Sequence, residues 1–99
     1  MSGTLEIIYW RDIPAQVTVR RGRSAHRIEL SPRFQTAIDQ AATRAGKTGT
    51  DEYLAEWRKE RTTGDWDMEA TAAEEAARLE TAFPKERLQR YVRNGGRAP

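Results

Sequence analysis

The sequence predicts an α+β domain in which a three-stranded antiparallel β-meander is followed by three to four helices packed on one face. Three observations support this class. Apolar and polar residues alternate with a period of two through the first thirty residues, which is typical of strands. From residue 34 onward, the apolar residues follow the three- and four-residue steps of helices. Short turns that contain Gly or Pro separate these segments.

The three strands are expected over residues 5–10, 15–20 and 24–30. Both alternating faces of the first strand are apolar, which predicts a central strand or one that is covered on two sides. Pro14 interrupts the pattern, because it has no N–H group for strand pairing. Arg21-Gly22-Arg23 predicts the turn between the second and third strands. Short connections of this kind favour an antiparallel meander.

The first helix has the clearest boundaries. Ser31-Pro32 is a typical start, with a hydroxyl at the N-cap and proline in the first turn. Gly46 follows the last apolar position and predicts the helix end. Between them, a single apolar stripe consists of Phe34, Ala37, Ile38, Ala41, Ala42 and Ala45.

Further helices are expected in the second half of the chain. One begins at Thr50, and its helical pattern ends around residues 61–64. The next begins at Asp65 or Asp67. Pro84 restarts the chain at a short last helix. We therefore expect one domain over residues 1–94, and a disordered tail over residues 95–99, where the composition offers nothing to hold it.

Composition excludes several kinds of site. The chain has 99 residues, a mean hydropathy of −0.85, one His and no Cys. Disulfides, thiolate metal sites and multi-histidine sites are therefore excluded, and we expect no metal and no cofactor. No apolar run approaches the length of a membrane span, and no secretory signal begins the sequence. These features predict a cytoplasmic protein with no membrane contact.

Charge is distributed unevenly along the chain. Residues 1–50 carry eight basic and four acidic side chains, whereas residues 51–99 carry nine basic and eleven acidic ones. This dipolar pattern suits an acidic or mixed-charge protein partner, or a second copy of the chain. The acidic second half would repel nucleic acid, which makes that ligand the less favoured one.

Two groups of residues are candidates for binding a partner. The string Tyr9-Trp10-Arg11-Asp12 predicts either a core corner with an internal Arg–Asp bridge or an exposed interface, because aromatic and Arg side chains dominate interface energetics. The second group, which surrounds the second turn, consists of Arg20, Arg21, Arg23 and Arg27. Guanidinium groups at such a turn pair with carboxylates of a protein or with phosphates of a nucleic acid.

Three strings resemble a known family. They are IIYWRDIPAQVTVRRG, ELSPRFQTAIDQAATRAG and GTDEYLAEWRK, and together they cover roughly residues 5–61. They resemble the small bacterial virulence factor family, whose domain also ends conserved virulence factor C proteins. In those longer relatives the domain accompanies a scaffold segment of the Nfu/NifU type and HEAT-like repeats. The resemblance implies an accessory or interaction role, and small members are associated with one-carbon and methyl-transfer genes.

The leading functional prediction is a non-enzymatic module that docks to another protein. Too few reactive side chains occur together in the sequence for catalysis by this chain alone. The resemblance adds a second possibility, a small accessory subunit of a one-carbon or methyl-transfer enzyme. A third is nucleic-acid binding through the arginines of the second turn.

Overall fold

A four-stranded antiparallel sheet forms the centre of the fold. The computed structural model describes residues 2–99. The strands are β1 (Gly3–Trp10), β2 (Ile13–Arg21), β3 (Ser24–Glu29) and β4 (Trp57–Gly64), in the spatial order β3-β2-β1-β4. The apolar strand β1 is therefore central, as the sequence predicts. A bulge in its pairing with β2 follows Ile8.

The helices follow the predicted order, with one change. They are α1 (Pro32–Arg44), α2 (Thr50–Ala55), α3 (Met68–Ala82) and α4 (Lys85–Arg93). Pro32 begins α1 and Asp67 caps α3 by accepting a hydrogen bond from the amide of Ala70. The Ser31 hydroxyl does not cap α1 as expected, because it donates to Glu80 Oε1 at 2.8 Å and so links α1 to α3.

The prediction of a three-stranded sheet is wrong by one strand, because the chain turns from α2 into β4. The second helix was expected to continue to residues 61–64, but it ends at Ala55. Residues 57–64 instead pair with β1 along its whole length. β4 is an edge strand in which six of the eight residues are exposed, so buried and exposed residues do not alternate along it. Backbone hydrogen bonding to β1, rather than apolar burial, accounts for its conformation.

One face of the sheet carries the main core. Leu5 and Ile7 of β1 lie opposite Val19 and Val17 of β2 on this face, and α3 packs against these strands and β3. At the far end, the indole of Trp66 lies over Gly3 and Gly64, where a Cβ atom would overlap the ring. This close approach explains the two glycines. The fully buried large side chains include Trp10, Ile13, Phe34, Ile38, Leu79 and Leu88.

Within residues 2–99, no helix has the length and apolarity needed to cross a bilayer.

We expect Ile38→Ala to lower the free energy of unfolding by about 2–5 kcal/mol, because Ile38 is fully buried in α1. Urea denaturation measures the change. The control is Gln40→Ala at an exposed position of the same helix, for which we expect less than about 0.5 kcal/mol. A similar small loss for both variants would contradict the burial of this helix face.

Candidate functional site

Trp10 lies in the core and is not available to a partner. Its side chain has no exposed surface, and its Nε1 atom donates to the carbonyl of Tyr53 at 2.9 Å. The Tyr53 ring stacks beside it, with 5.8 Å between the ring centroids. Gly96 packs against the other side of the Trp10 ring. The φ angle of Gly96 is 92°, and a Cβ atom at this position would lie 2.9 Å from the indole. Of the two predicted roles for Trp10, the structure shows the core corner.

Arg11 holds the tight turn between β1 and β2 in an unusual conformation. Its φ of 52° lies in the left-handed region, which costs a non-glycine residue roughly 1–2 kcal/mol. Three hydrogen bonds offset this cost. The backbone amide donates to the Glu56 carbonyl at 3.0 Å, and the guanidinium donates to Glu56 Oε1 at 3.1 Å and to the Gly95 carbonyl at 3.0 Å. Arg11 therefore joins the turn to the end of α2 and to the C-terminal segment.

Asp12 fixes the C-terminal residues, which were expected to be disordered. Its Oδ2 atom accepts a hydrogen bond from the amide of Ala98 at 2.7 Å, and its own amide donates to the Gly96 carbonyl at 2.9 Å. The other carboxylate oxygen pairs with Arg58 at 3.1 Å, instead of with Arg11 as the predicted Arg–Asp bridge required. The turn thus supplies hydrogen-bond partners for a segment that the sequence predicts to be disordered.

Tyr9 is half-buried and lies opposite Arg58 of β4 in the strand register. The guanidinium of Arg58 lies 4.4 Å from its ring centroid, a favourable cation–π contact. Burial, reinforced by the nearby Glu60 carboxylate, raises the pKa of the Tyr9 phenol above its ordinary value, although Arg58 and Arg78 act in the opposite direction. The string from Tyr9 to Asp12 thus forms a structural corner.

The arginines of the second turn do not form one cluster. Strand register places Arg20 and Arg27 on the face of the sheet opposite the main core, with Glu6 and Thr18. Arg21 alternates to the other face, and Arg23 lies in the turn between β2 and β3. Only Arg20 and Arg27 of the predicted set therefore share a surface.

Two further cations join them from β4. Lys59 and Arg61 lie opposite Ile8 and Glu6 in the β1–β4 register, so they point to the same face as Arg20. Sequence analysis missed both residues, because it assigned this segment to a helix. The β-branched pair Thr62-Thr63 was the available signal for a strand.

Glu6 is the buried centre of this surface. Only 4% of its side chain is exposed, and its Oε2 atom accepts a hydrogen bond from Arg61 Nε at 2.8 Å. Arg20 Nη2 and Lys59 Nζ each lie 3.9 Å from Oε1, which accepts no hydrogen bond from residues 2–99. Three cations thus surround one carboxylate, and roughly half of each cationic side chain remains exposed.

We call this surface the open sheet face. Its charged side chains are Arg20, Arg27, Lys59, Arg61, Glu6 and Glu29. Four cations against two carboxylates leave a surplus of two positive charges at neutral pH. The exposure of these cations shows that no helix among the described residues covers this part of the sheet.

A cleft of about 410 Å³ adjoins the open sheet face at the end nearest α1. Ile8 and Trp57 contribute from the sheet, and the first turn of α1 forms the opposite wall. The sequence predicts that all helices pack on one face of the sheet. In the structure α1 borders both faces, so this part of the prediction is corrected. The polar residues that line the cleft are Gln16, Glu29 and Gln35.

The described residues contain no group of three or more His, Asp or Glu side chains arranged to hold a metal ion. His26 lies on β3 opposite Val19.

We expect Glu6→Gln to lower the free energy of unfolding by about 1–2 kcal/mol, because the three surrounding cations lose their counterion. Thermal and urea denaturation measure the loss. Glu29→Gln on the same face is the control, because Glu29 is exposed and forms no ion pair within residues 2–99. Equal losses for the two variants would contradict a central role for Glu6.

Alkaline pH should destabilise the protein partly through Tyr9. Its pKa is raised in the folded state, so its contribution to stability is complete below the unfolded pKa of about 10 and is lost as pH rises through the folded value. We expect Tyr9→Phe to lose less stability than the wild-type protein over this range. Denaturation at a series of alkaline pH values tests this, and identical pH dependence of the two proteins would refute it.

Comparison with known proteins gives one family. A family model described as "Virulence factor" matches residues 8–92. No curated protein and no solved structure matches the chain significantly. The family match includes the corner at Trp10, all of β2, β3 and β4, and the first three helices. Because the match spans most of the sequence, the chain belongs to the virulence factor family.

Proposed function

We propose that this protein is a non-enzymatic docking module that binds an acidic protein partner through the open sheet face. The observation that carries the proposal is the surplus of exposed cations around Glu6 on a sheet surface that no described helix covers. Exposed sheet cations attract and orient a partner with carboxylates on its surface. Arg23 extends the same positive field from the neighbouring turn.

Glu6 gives this surface a defined arrangement. By holding Arg61 at 2.8 Å and drawing Arg20 and Lys59 inward, the carboxylate limits the freedom of three long side chains. Cations that are already positioned lose less conformational entropy when a partner binds. Arg27 forms no ion pair with any described residue and is free for a partner's carboxylate.

A protein partner fits this face better than a nucleic acid. Binding of single strands relies on several aromatic side chains that stack against bases. On this face the described strands contribute one partly exposed aromatic side chain, Trp57 at the cleft, next to Ile8, Thr18 and Thr4. The carboxylate of Glu29 would also repel a phosphate backbone, since it is exposed. A mixed-charge protein surface accommodates it.

The proposal of binding without catalysis rests on how the polar side chains are used. Glu6, Arg11 and Asp12 are engaged in contacts that hold strands, α2 and the C-terminal segment together. Side chains committed to such contacts are poorly suited to proton transfer or nucleophilic attack. The proposal includes no cofactor and no metal, and it assigns the protein to the cytoplasm.

The test compares two charge-reversal pairs. Arg27→Glu with Lys59→Glu reverses the open sheet face, whereas Lys85→Glu with Arg90→Glu makes the same change of net charge at exposed positions of α4. We expect the first pair to reduce binding of a purified partner, identified by cross-linking in the native cell, by at least about tenfold. The α4 pair should retain most of the affinity.

The same experiment separates the alternatives. Equal losses for both pairs would refute a role for the open sheet face. Binding to oligonucleotides that falls steeply with salt, without a protein partner, would indicate the nucleic-acid function. A one-carbon or methyl-transfer enzyme among the cross-linked proteins, with activity that depends on this chain, would support the accessory-subunit alternative. Cross-links between copies of the chain would indicate self-association.

A further inference from the structure

The cleft beside the open sheet face is lined mainly by apolar side chains. Its apolar lining consists of Ile8, Ala15, Leu30, Pro32, Phe34 and Trp57. A volume of about 410 Å³ is within the range of protein sites that enclose an organic group. Polar side chains at Gln16, Glu29 and Gln35 also line it. This arrangement, mostly apolar with a few polar groups, is typical of sites that bind an organic group.

The cleft and the cations are close enough to bind one short segment. Ile8, which lines the cleft, is two residues from Glu6 on the same face of β1. Two residues of an extended strand span about 6.8 Å. Ile8 also lies directly opposite Lys59. An extended segment that places an apolar side chain in the cleft therefore carries its second residue onward over Glu6 and Arg61.

We propose that the cleft receives one apolar side chain of an extended acidic segment of the partner, whose carboxylates contact the open sheet face. The proposal rests on the docking function above and adds a recognition pattern. Side chains of an extended segment that face the sheet occur at every second position. The segment therefore has an apolar residue with acidic residues two and four positions away from it.

Charge complementarity selects this occupant over an uncharged apolar segment. The sheet face beside the cleft carries four exposed cations and one exposed carboxylate, Glu29, because Glu6 is buried. A segment with carboxylates at the matching spacing neutralises these cations, while an uncharged segment would desolvate them without compensation. The positively charged surface and the apolar cleft thus specify different parts of one ligand.

The test selects ligands from a displayed library of random twelve-residue peptides with the full-length protein. We expect enriched sequences to carry an apolar residue with acidic residues two and four positions away. A synthetic copy of an enriched peptide should bind at least tenfold more tightly than the same peptide with its apolar residue replaced by Ser. Enrichment of peptides without this pattern, or no enrichment, would overturn the proposal.

Two variants of the cleft provide the matched measurement. Ile8→Ser removes part of its apolar surface, and Gln35→Trp narrows it from an exposed position on α1. Each variant should bind the enriched peptide at least fivefold more weakly than the wild-type protein does. The affinity for the Ser-substituted peptide should be unchanged. Gln35→Trp keeps the test valid if Ile8→Ser fails to fold, and thermal melting monitored by circular dichroism checks both variants.

The outcomes separate this inference from the docking function. One outcome is that acidic peptides bind equally with and without the apolar residue, and that the pair Arg27→Glu with Lys59→Glu abolishes the binding of both kinds of peptide. In that case the cleft proposal fails and the docking function stands. If no acidic peptide binds, the cleft proposal fails, and the docking function is decided by the partner-binding test of the two charge-reversal pairs. Binding of a twenty-residue polyuridine by the open sheet face, with no enriched peptide, assigns the surface to nucleic acid and also overturns the proposal.

Discussion

The burial of Trp10 is the constraint on which the rest of the packing depends. Its indole is fully enclosed, and its one donor is satisfied by the Tyr53 carbonyl, which fixes the direction in which the chain leaves α2. From there β4 begins with Trp57 directly opposite Trp10. Gly96 closes the other side of the ring. An aromatic side chain of this size buries about 150–250 Å² on its own.

The turn between β1 and β2 links the Trp10 packing to the end of α2 and to the C-terminal segment. Arg11 adopts a left-handed conformation that is unfavourable in isolation, and its hydrogen bonds to Glu56 and Gly95 offset the cost. Asp12 then binds the amide of Ala98. Two residues at the end of β1 thus link segments that are more than eighty positions apart in the chain. In our proposal, other residues bind the partner, because Arg11 and Asp12 are already engaged in these contacts.

The open sheet face shows how a buried carboxylate organises a positive surface. Glu6 loses its hydration in the middle of β1, which is unfavourable for a charged group unless cations compensate it. Arg20, Lys59 and Arg61 provide that compensation from two neighbouring strands while remaining accessible to solvent. The same side chains therefore stabilise the central strand and present positive charge. The cleft next to Ile8 adds an apolar element to this surface.

Local patterns in the sequence determined the first three strands, the limits of α1 and the positions of α3 and α4, because periodicity, caps and prolines act over a few residues. The family was also apparent from the strings around Trp10. Only the tertiary structure decided that residues 57–64 pair as a strand, that Trp10 is enclosed and that residues 95–98 are held. Each of these depends on a partner distant in the chain. The open sheet face followed for the same reason, since it combines Arg20 and Arg27 with two cations from a strand that the local pattern did not reveal.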